Sequence, residues 1–540
     1  MTDQVRSHGL PAELESLPAS VPVALQRRLG DGDDPFIIGS DFRLTFAEAD
    51  AESNELAGRL LASGIGKGTR VGILFPNGPA WAVAWLALAR IGALSVPLST
   101  FAPGGELARM IRQTDVHALL MASTFGGERM TTRLESGLAD LDRSTADLQL
   151  ESAPYMRWIH VEGEDVPSWA RSPPAPLSRR LVHEAESEVT PADALAVINT
   201  SGATAAPKSV VHTHGSLVRH AALLAERRGL TSEDRIYSPM PFFWVGGLTM
   251  VLLAALVSGA AAVVQERFEP GEALDLIERE RVTQVSCWPN ASRQLADHAS
   301  FKDRDLGAVR GGTLVEALPS EYRPPAADRA PNVLGMTETG GPHTGPDDPY
   351  AVLSESLRGT MGRSLPGMEH LVVDAESGLA VPVGEKGEIL LRGAFLTDGF
   401  YKRERYETFT PDGWYATGDL GSFDADGHLR FAGRRTSMIK TGGSNVSPAE
   451  VEATLLEQSA VREAFVFGIP AGERGEDVAA VVVPQSRDAV EPSALLRSLR
   501  DVLSSYKIPR HLRVIEEIDL PKLPTGKTDL VSLRHLFTEA

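Results

Sequence analysis

Apolar and polar positions in this chain follow two periods, and the period changes every ten residues or so. Thr45-Phe46-Ala47-Glu48 has the form of a capping box, in which the threonine hydroxyl and the glutamate carboxylate satisfy the first free N–H groups of a helix. Leu56, Leu60 and Leu61 continue that helix at helical spacing, and Gly64 closes it. Apolar runs at 71–75, 93–97 and 117–121 predict buried strands, with helices over 79–91 and 107–113 between them and a turn at Pro76-Asn77-Gly78. Strands alternating with helices predict an α/β fold, a parallel or mixed sheet with helices on its faces.

Further along, Leu195-Ala196-Val197-Ile198 predicts another buried strand and 215–227 a helix, with strands over 282–288, 306–311 and 387–393. Asp424-Ala425-Asp426-Gly427-His428 predicts a hairpin turn. Beyond Gly433-Arg434-Arg435-Thr436 the pattern restarts as a small α+β unit. Ser447-Pro448-Ala449-Glu450 opens a helix with a capping box and a proline at its first position. Strands over 464–467, 478–484 and 511–518 and a helix over 494–503 complete it. No internal repeat is visible.

Composition narrows the function classes. A chain of 540 residues is too long for one core, and roughly three to four structural units are expected. The net charge of -19 argues against a nucleic-acid surface, so any anionic ligand must be held by local cations. The single cysteine, Cys287, excludes an intramolecular disulfide and points to a reducing compartment. Residues 1–9 lack the apolar core of a signal peptide, and the longest apolar runs, 81–89 and 252–264, are too short to cross a bilayer. A soluble, cytoplasmic protein with no membrane span is expected.

Candidate chemistry lies in a few loops. The first is Thr200-Ser201-Gly202-Ala203-Thr204-Ala205-Ala206-Pro207-Lys208, expected to join a strand to the helix at 215. It offers backbone N–H groups, hydroxyls and one ammonium, which are the groups a triphosphate needs. The spacing is not that of a P-loop. Residues 237–247 set Phe242, Phe243 and Trp244 beside Gly246 and Gly247, an arrangement that suits either core packing or the wall of an apolar pocket. In Leu334-Gly335-Met336-Thr337-Glu338-Thr339, a glutamate between threonines provides oxygens of the kind Mg2+ uses beside phosphates. Residues 172–180 and 319–331 are proline-rich connectors.

With these segments placed, the chain resembles the adenylate-forming superfamily of acyl-CoA synthetases, luciferases and peptide-synthetase adenylation domains. TSGATAAPK is similar to that family's TSGTTGxPK loop, LGMTET to YGMTET, and GWYATGDLG to GWxxTGDLG. GRRTSMIKTGGSNVSPAEVE is similar to GRxxDxIKxxGxxVxPxEIE, and LPKLPTGK to the C-terminal lysine motif. The likeness runs from about residue 22 to about residue 536. It implies a large N-terminal domain, 1–433, of layered α/β subdomains with a small β-barrel-like part. A small mobile α+β domain, 434–540, would follow.

The resemblance also implies the chemistry. Such enzymes join a carboxylic acid to the α-phosphate of ATP with Mg2+, then usually pass the acyl group to a thiol. Thr200, Ser201, Gly202, Thr204 and Lys208 would hold phosphates. Thr337 would contact the α-phosphate and Glu338 would hold Mg2+. Gly311, Gly312, Leu334 and Gly335 would border the adenine, Asp419 would take the ribose hydroxyls, and Arg434 would add a ribose or phosphate contact. Lys527 would bridge the substrate carboxylate and the α-phosphate. Gly442 and Gly443 would line the path of the CoA pantetheine. Phe242, Phe243, Trp244, Gly246, Gly247, Gly335, Met336 and Gly340 would form an apolar acyl pocket, for a fatty or an aromatic acid.

Six departures accompany the likeness. Ala203, Ala205 and Ser209 replace a threonine and two glycines of the loop pattern, Leu334 an adenine-stacking tyrosine, Trp244 a pocket histidine and Thr436 the usual hinge residue. With Lys208, Glu338, Asp419 and Lys527 retained, the expectation is an active enzyme with weaker ATP affinity. The expected partners are a small carboxylic acid and CoA, with an acyl carrier protein as the alternative acceptor and a homodimer among the assemblies allowed. A nucleotide-binding paralogue with little catalysis is the reading from another class.

Overall fold

A computed structural model of the chain describes residues 12–141, 147–200, 208–319, 321–323, 333–348, 357–434, 439–441, 444–446, 448–472, 475–486, 490–501, 503, 507–523 and 527–537. Contacts divide the chain into two compact units, one comprising Met1–Glu369 and Arg392–Gly413 and the other His370–Leu391 and Trp414–Ala540.

The first unit is built on two mixed sheets. In one, strands run in the order Gly311–Gly312, Gln284–Val285, Arg235–Tyr237, Ala261–Val263, Pro35–Ile38 and Arg43–Thr45, parallel except for the last pair. In the other the order is Gly399–Phe400, Lys208–Thr213, Ala194–Thr200, Leu94–Pro97, Arg70–Leu74, Ala118–Ala122 and Trp158–Glu162. Here Lys208–Thr213 is antiparallel to both its neighbours, and the remaining pairs are parallel. One apolar core joins the sheets. It combines Ile37 and Ala262 from the first sheet, Ile73 and Ile198 from the second, and the helices Pro79–Arg90, His214–Arg227 and Ala254–Ser258 between them. Trp81 and Trp85, both fully buried, supply its largest side chains. Separate cores cover the outer faces, around Leu107, Met110 and Leu134 on one side and around Leu274, Ile277 and Leu295 on the other.

Local sequence rules explain many of these elements. The capping box at Thr45 forms, with Thr45 N–H donating to the Glu48 carboxylate at 2.8 Å, and it starts the helix Phe46–Ala62. The helix Pro79–Arg90 is apolar on every face because it is buried on every face. Its last residue, Arg90, is a buried charge and is fully partnered: it pairs with the carboxylates of Asp50 and Glu186 and donates to Ser53 Oγ at 3.0 Å. The proline-rich stretch 172–180 is a strap across the helix Phe46–Ala62, with Leu177 N–H donating to the Gly58 carbonyl at 3.1 Å. Any side chain at position 58 would press on that strap.

One expectation is corrected. The loop after Ala194–Thr200 does not lead directly into a helix. A further strand, Lys208–Thr213, intervenes and pairs antiparallel with Ala194–Thr200, with Lys208 opposite Thr200. The β-branched run Val210-Val211 and the alternating burial of this segment favour a strand. The helix His214–Arg227 then starts from its own capping box at Thr213 and Ser216. The described residues that flank the candidate phosphate loop, Thr200 and Lys208, are therefore paired strand ends, and Lys208 does not open a helix. Two predicted strands are also shorter than expected. Only Gln284–Val285 and Gly311–Gly312 pair, because the Trp288–Pro289 junction starts a helix and residues 306–310 form a turn.

The second unit contains an antiparallel sheet in the order Met368–Val373, Gly387–Gly393, Tyr415–Phe423 and Leu429–Arg434. The predicted turn joins the last two strands, with Phe423 opposite Leu429 and Gly427 at φ +81. A smaller sheet pairs Val461–Pro470 with Glu476–Pro484, antiparallel, and then with His511–Val514, parallel. Its core packs Val451 and Leu455 of the helix Pro448–Leu456 against Val466, Ala480 and Val482. The helix Pro492–Ser498 is shorter than the predicted 494–503 and tightens into a 3-10 turn at Leu499–Asp501.

Among the described residues, no helix is long and apolar enough to cross a membrane.

Candidate active site

The centre of the first unit's site is a pair of charges far apart in sequence. Lys208 opens the second strand of the hairpin, and Glu338 lies in the 3-10 turn Thr337–Thr339. The Lys208 ammonium is 3.8 Å from Glu338 Oε1 and 5.1 Å from the centre of the Phe400 ring. Phe400 reaches this place because Gly399–Phe400 pairs with the lysine's own strand, Val210 opposite Phe400. Glu338 is 7% exposed, and its carbonyl accepts the Thr397 N–H at 2.7 Å. A buried hard-oxygen donor beside an ammonium suits a metal–phosphate group: the carboxylate fits Mg2+ and the ammonium fits phosphate oxygens.

Two buried histidines hold the turn that carries Glu338. His212 Nε2 is 2.7 Å from the Thr337 carbonyl, and His220 Nε2 is 2.7 Å from the Pro342 carbonyl. A carbonyl only accepts, so each ring carries its proton on Nε2. Burial pushes the His212 pKa down to about 4 against the opposing pull of the Thr337 carbonyl. Burial pushes His220 down to about 3, helped by His212 and His343 nearby, so both rings are neutral near pH 7. His220 also stacks on Phe395 with ring centres 4.5 Å apart. Gly340 follows the turn at φ +68, and a side chain there would collide with Leu217.

The remaining predicted residues of this unit fall around the carboxyl ends of strands. Thr200 ends its strand, and Ser201, Gly202 and Thr204 lie outside the described residues. Gly311 and Gly312 form an edge strand beside Gln284 and Val285. Gly312 sits at φ +93, where an added Cβ would collide with the Val285 carbonyl. Leu334 is half-buried, its N–H bonded to Thr344 Oγ1 at 3.2 Å and its carbonyl to the His343 N–H at 2.8 Å. Gly335 and Met336 pair with Pro342 and Gly341.

Of the apolar candidates, Phe243 and Trp244 meet with ring centres 5.0 Å apart, and both contact Phe101. Phe242 turns the other way, into the core against Trp81 at 5.3 Å. Gly246 lies against the Met240 sulfur, and at Gly247 a side chain would collide with the Pro241 carbonyl.

In the second unit, Asp419 is 4% exposed on Tyr415–Phe423, and its register partner is Arg434. Its N–H is bonded to Thr417 Oγ1 at 2.9 Å, and the Gly418 N–H to Glu388 Oε1 at 3.1 Å. These bonds fix the strand around Gly418, at φ +74. Lys527 is exposed; its carbonyl accepts the Leu523 N–H and the Pro521 carbonyl accepts the Asp529 N–H, both at 2.8 Å. Strands Ile439–Thr441 and Ser444–Val446 pair with Thr441 opposite Ser444, and Gly442 and Gly443 lie outside the described residues.

Sequence reasoning passed over Phe101, Trp288, His212, His220, Thr397 and Phe400. None sits in a recognisable motif: strand pairing brings Phe400 to the site, and side-chain hydrogen bonds to distant carbonyls bring His212 and His220.

This arrangement of hairpin, acidic turn and paired sheets has known counterparts. The family model described as AMP-binding enzyme matches residues 26–401, and the AMP-binding enzyme C-terminal domain matches 450–527. The chain belongs to the AMP-binding, adenylate-forming enzyme family. It is 30% identical over 507 residues to the indoleacetate–CoA ligase of Aromatoleum aromaticum, covering 91% of this chain and 93% of that one. It is 29% identical over 512 residues to a feruloyl-CoA synthase of Amycolatopsis sp, covering 92% and 94%. Its fold matches that of ATP-bound MatB from Rhodopseudomonas palustris with a TM-score of 0.78 at 23% identity, over 96% of this chain and 99% of that one.

Proposed function

We propose that this chain is an AMP-forming acyl-CoA ligase for a fatty or aromatic carboxylic acid. The substrate carboxylate oxygen attacks the α-phosphorus of ATP and pyrophosphate leaves, giving an acyl adenylate. The CoA sulfur then attacks the acyl carbonyl, AMP leaves, and the thiol proton goes to solvent. The observation that carries the reading is the approach of Lys208 to Glu338, at 3.8 Å on a half-buried scaffold. Joining two anions is mainly a problem of positioning and neutralising charge, and this pair serves both.

In this reading Glu338 holds Mg2+, which would neutralise phosphate charge, while Lys208 and the residues of the 200–208 loop hold phosphate oxygens. Thr337 faces the α-phosphate, Asp419 takes the ribose hydroxyls, and Gly311, Gly312, Leu334 and Gly335 border the adenine. Lys527 bridges the acid and the α-phosphate, a task suited to a compact charge on a flexible stem. The functional division falls at 433/434, with Gly442 and Gly443 beside the thiol in the second step. A reducing cytoplasm, where CoA is abundant as a free thiol, fits a chain with one buried cysteine.

The test is thioester formation from acid, ATP, Mg2+ and CoA, with AMP and pyrophosphate released in equal amounts. A phosphopantetheinylated carrier protein replaces CoA in a parallel assay. Thioester on CoA supports the reading. Thioester on the carrier alone, or no acid-dependent pyrophosphate from a broad acid panel, overturns it.

A further inference from the structure

Five aromatic rings from four separate strand ends converge at one edge of the first unit. Phe101 follows the strand Leu94–Pro97, and Phe125 follows Ala118–Ala122 in the same sheet. Phe243 and Trp244 follow Arg235–Tyr237, and Trp288 follows Gln284–Val285, both in the other sheet. All four strands are parallel members, and each ring lies beyond its carboxyl end. The strand Ala194–Thr200, which leads into the 200–208 loop, runs parallel to Leu94–Pro97 and so ends at that same edge. Gly312 ends the strand beside Gln284–Val285. Ligands of α/β sheets bind at this edge.

The rings form a continuous chain of contacts. Centre separations are 6.3 Å for Phe125–Phe101, 5.5 Å for Phe101–Phe243, 5.0 Å for Phe243–Trp244 and 5.3 Å for Trp244–Trp288. The last three are edge-to-face. Elsewhere in the unit, Trp81, Trp85, Trp158 and Trp169 are sealed in cores at 4% exposure or less, whereas Phe101, Phe125, Trp244 and Trp288 are only half-buried. Phe125 and Trp288 also pack against the cores, yet each keeps part of its surface exposed.

We infer that this cluster selects a planar aromatic acid over an alkyl acid of equal or greater size. The inference rests on the acid-activating reading above and names its substrate class. Edge-to-face rings present alternating positive edges and negative faces, and an aryl guest complements both, whereas an alkyl guest gains only from area. Trp244, Trp288 and Phe101 are the specificity-determining side chains.

The experiment uses the full chain and acid-dependent ATP–pyrophosphate exchange with benzoate, cinnamate, cyclohexanecarboxylate and decanoate. Cyclohexanecarboxylate matches benzoate in size and lacks its π-faces. The expected result is a kcat/KM for the better aryl acid at least about tenfold above those of cyclohexanecarboxylate and decanoate, equivalent to one or two ring pairs. Trp244→Leu and Trp288→Leu, made separately so that a folding defect in one does not decide the matter, should each bring the ratio of benzoate to cyclohexanecarboxylate toward one. Equal rates for benzoate and cyclohexanecarboxylate, or a preference for decanoate, overturn the inference and leave the acid-activating reading standing. No exchange with any acid, in a chain that gives the thermal transition of a folded protein, overturns both.

Discussion

The two lysines assigned to the reaction, Lys208 and Lys527, have opposite surroundings. Lys208 starts a strand in a seven-stranded sheet, lies over an aromatic ring and faces a buried carboxylate. Lys527 stands exposed, tied to its neighbours through backbone hydrogen bonds alone among those described. The first is ordered by the fold, and little of its entropy remains to be lost when a nucleotide binds. The second keeps its rotamer freedom, which it gives up only on engaging the reacting groups. Lys208 should therefore contribute to nucleotide binding in ground and transition state alike, and Lys527 to the transition state.

That contrast can be broken at several points. The largest effect is expected for Lys527→Ala, which should lower adenylate formation by about 10²–10³-fold with little change in ATP KM or in thermal midpoint, the scale for a transition-state charge contact. Glu338→Gln should cost about 10²-fold and raise the Mg2+ concentration needed for half-maximal rate, by the same electrostatic reasoning. Lys208→Ala should instead raise ATP KM, by about tenfold for one charged contact, and a large fall in kcat with unchanged KM would erase the difference between the lysines.

Two stability predictions test the scaffold on the Lys208 side. Gly312→Ala should destabilise the protein by about 1–3 kcal/mol in denaturant unfolding, because alanine is strained at positive φ and its Cβ meets the Val285 carbonyl. Acid should act through the histidines. The unfolded chain takes up protons as pH falls through 6.5, whereas folded His212 does so only near pH 4 and His220 near pH 3. Stability contributed by the neutral rings is therefore complete above pH 6.5 and is lost as pH falls toward 4, by at most about 1.4 kcal/mol per pH unit for each histidine. His212→Asn should reduce the slope of stability against pH between 6.5 and 4. An unchanged slope would mean that His212 is not buried and neutral beneath Thr337.

What was legible in the sequence follows the same division between local and distant causes. The capping box at Thr45, the helix expected over 79–91 and found as Pro79–Arg90, and the hairpin at Gly427 depend on neighbours in sequence, and each formed. The strand Lys208–Thr213 went unread because the loop before it and the helix after it gave stronger local signals. It pairs along its length with Ala194–Thr200 and, at Val210 and Val211, with Gly399–Phe400 far along the chain. The Lys208–Glu338 pair was anticipated residue by residue but not as a contact, since no periodicity relates a hairpin to a distant turn. The aromatic chain was half visible: Phe243 and Trp244 sit beside glycines in a conspicuous run, while Phe101 and Trp288 are single aromatics that matter only because two sheets end at one edge. Phe242, adjacent to Phe243, was grouped with the pocket and belongs to the core: the two are the central residues of a turn closed by Trp244 N–H to the Pro241 carbonyl at 3.1 Å, and Phe242 packs on Trp81.

The most direct measurement separates the two half-reactions in one variant. Lys527→Ala is given either benzoate with ATP and Mg2+, or preformed benzoyl adenylate with CoA. The account predicts that adenylate formation is lost by at least about 10²-fold while thioester formation from the supplied adenylate stays within a few-fold of the unaltered chain. Equal loss of both steps, or adenylate formation at the original rate, would contradict it.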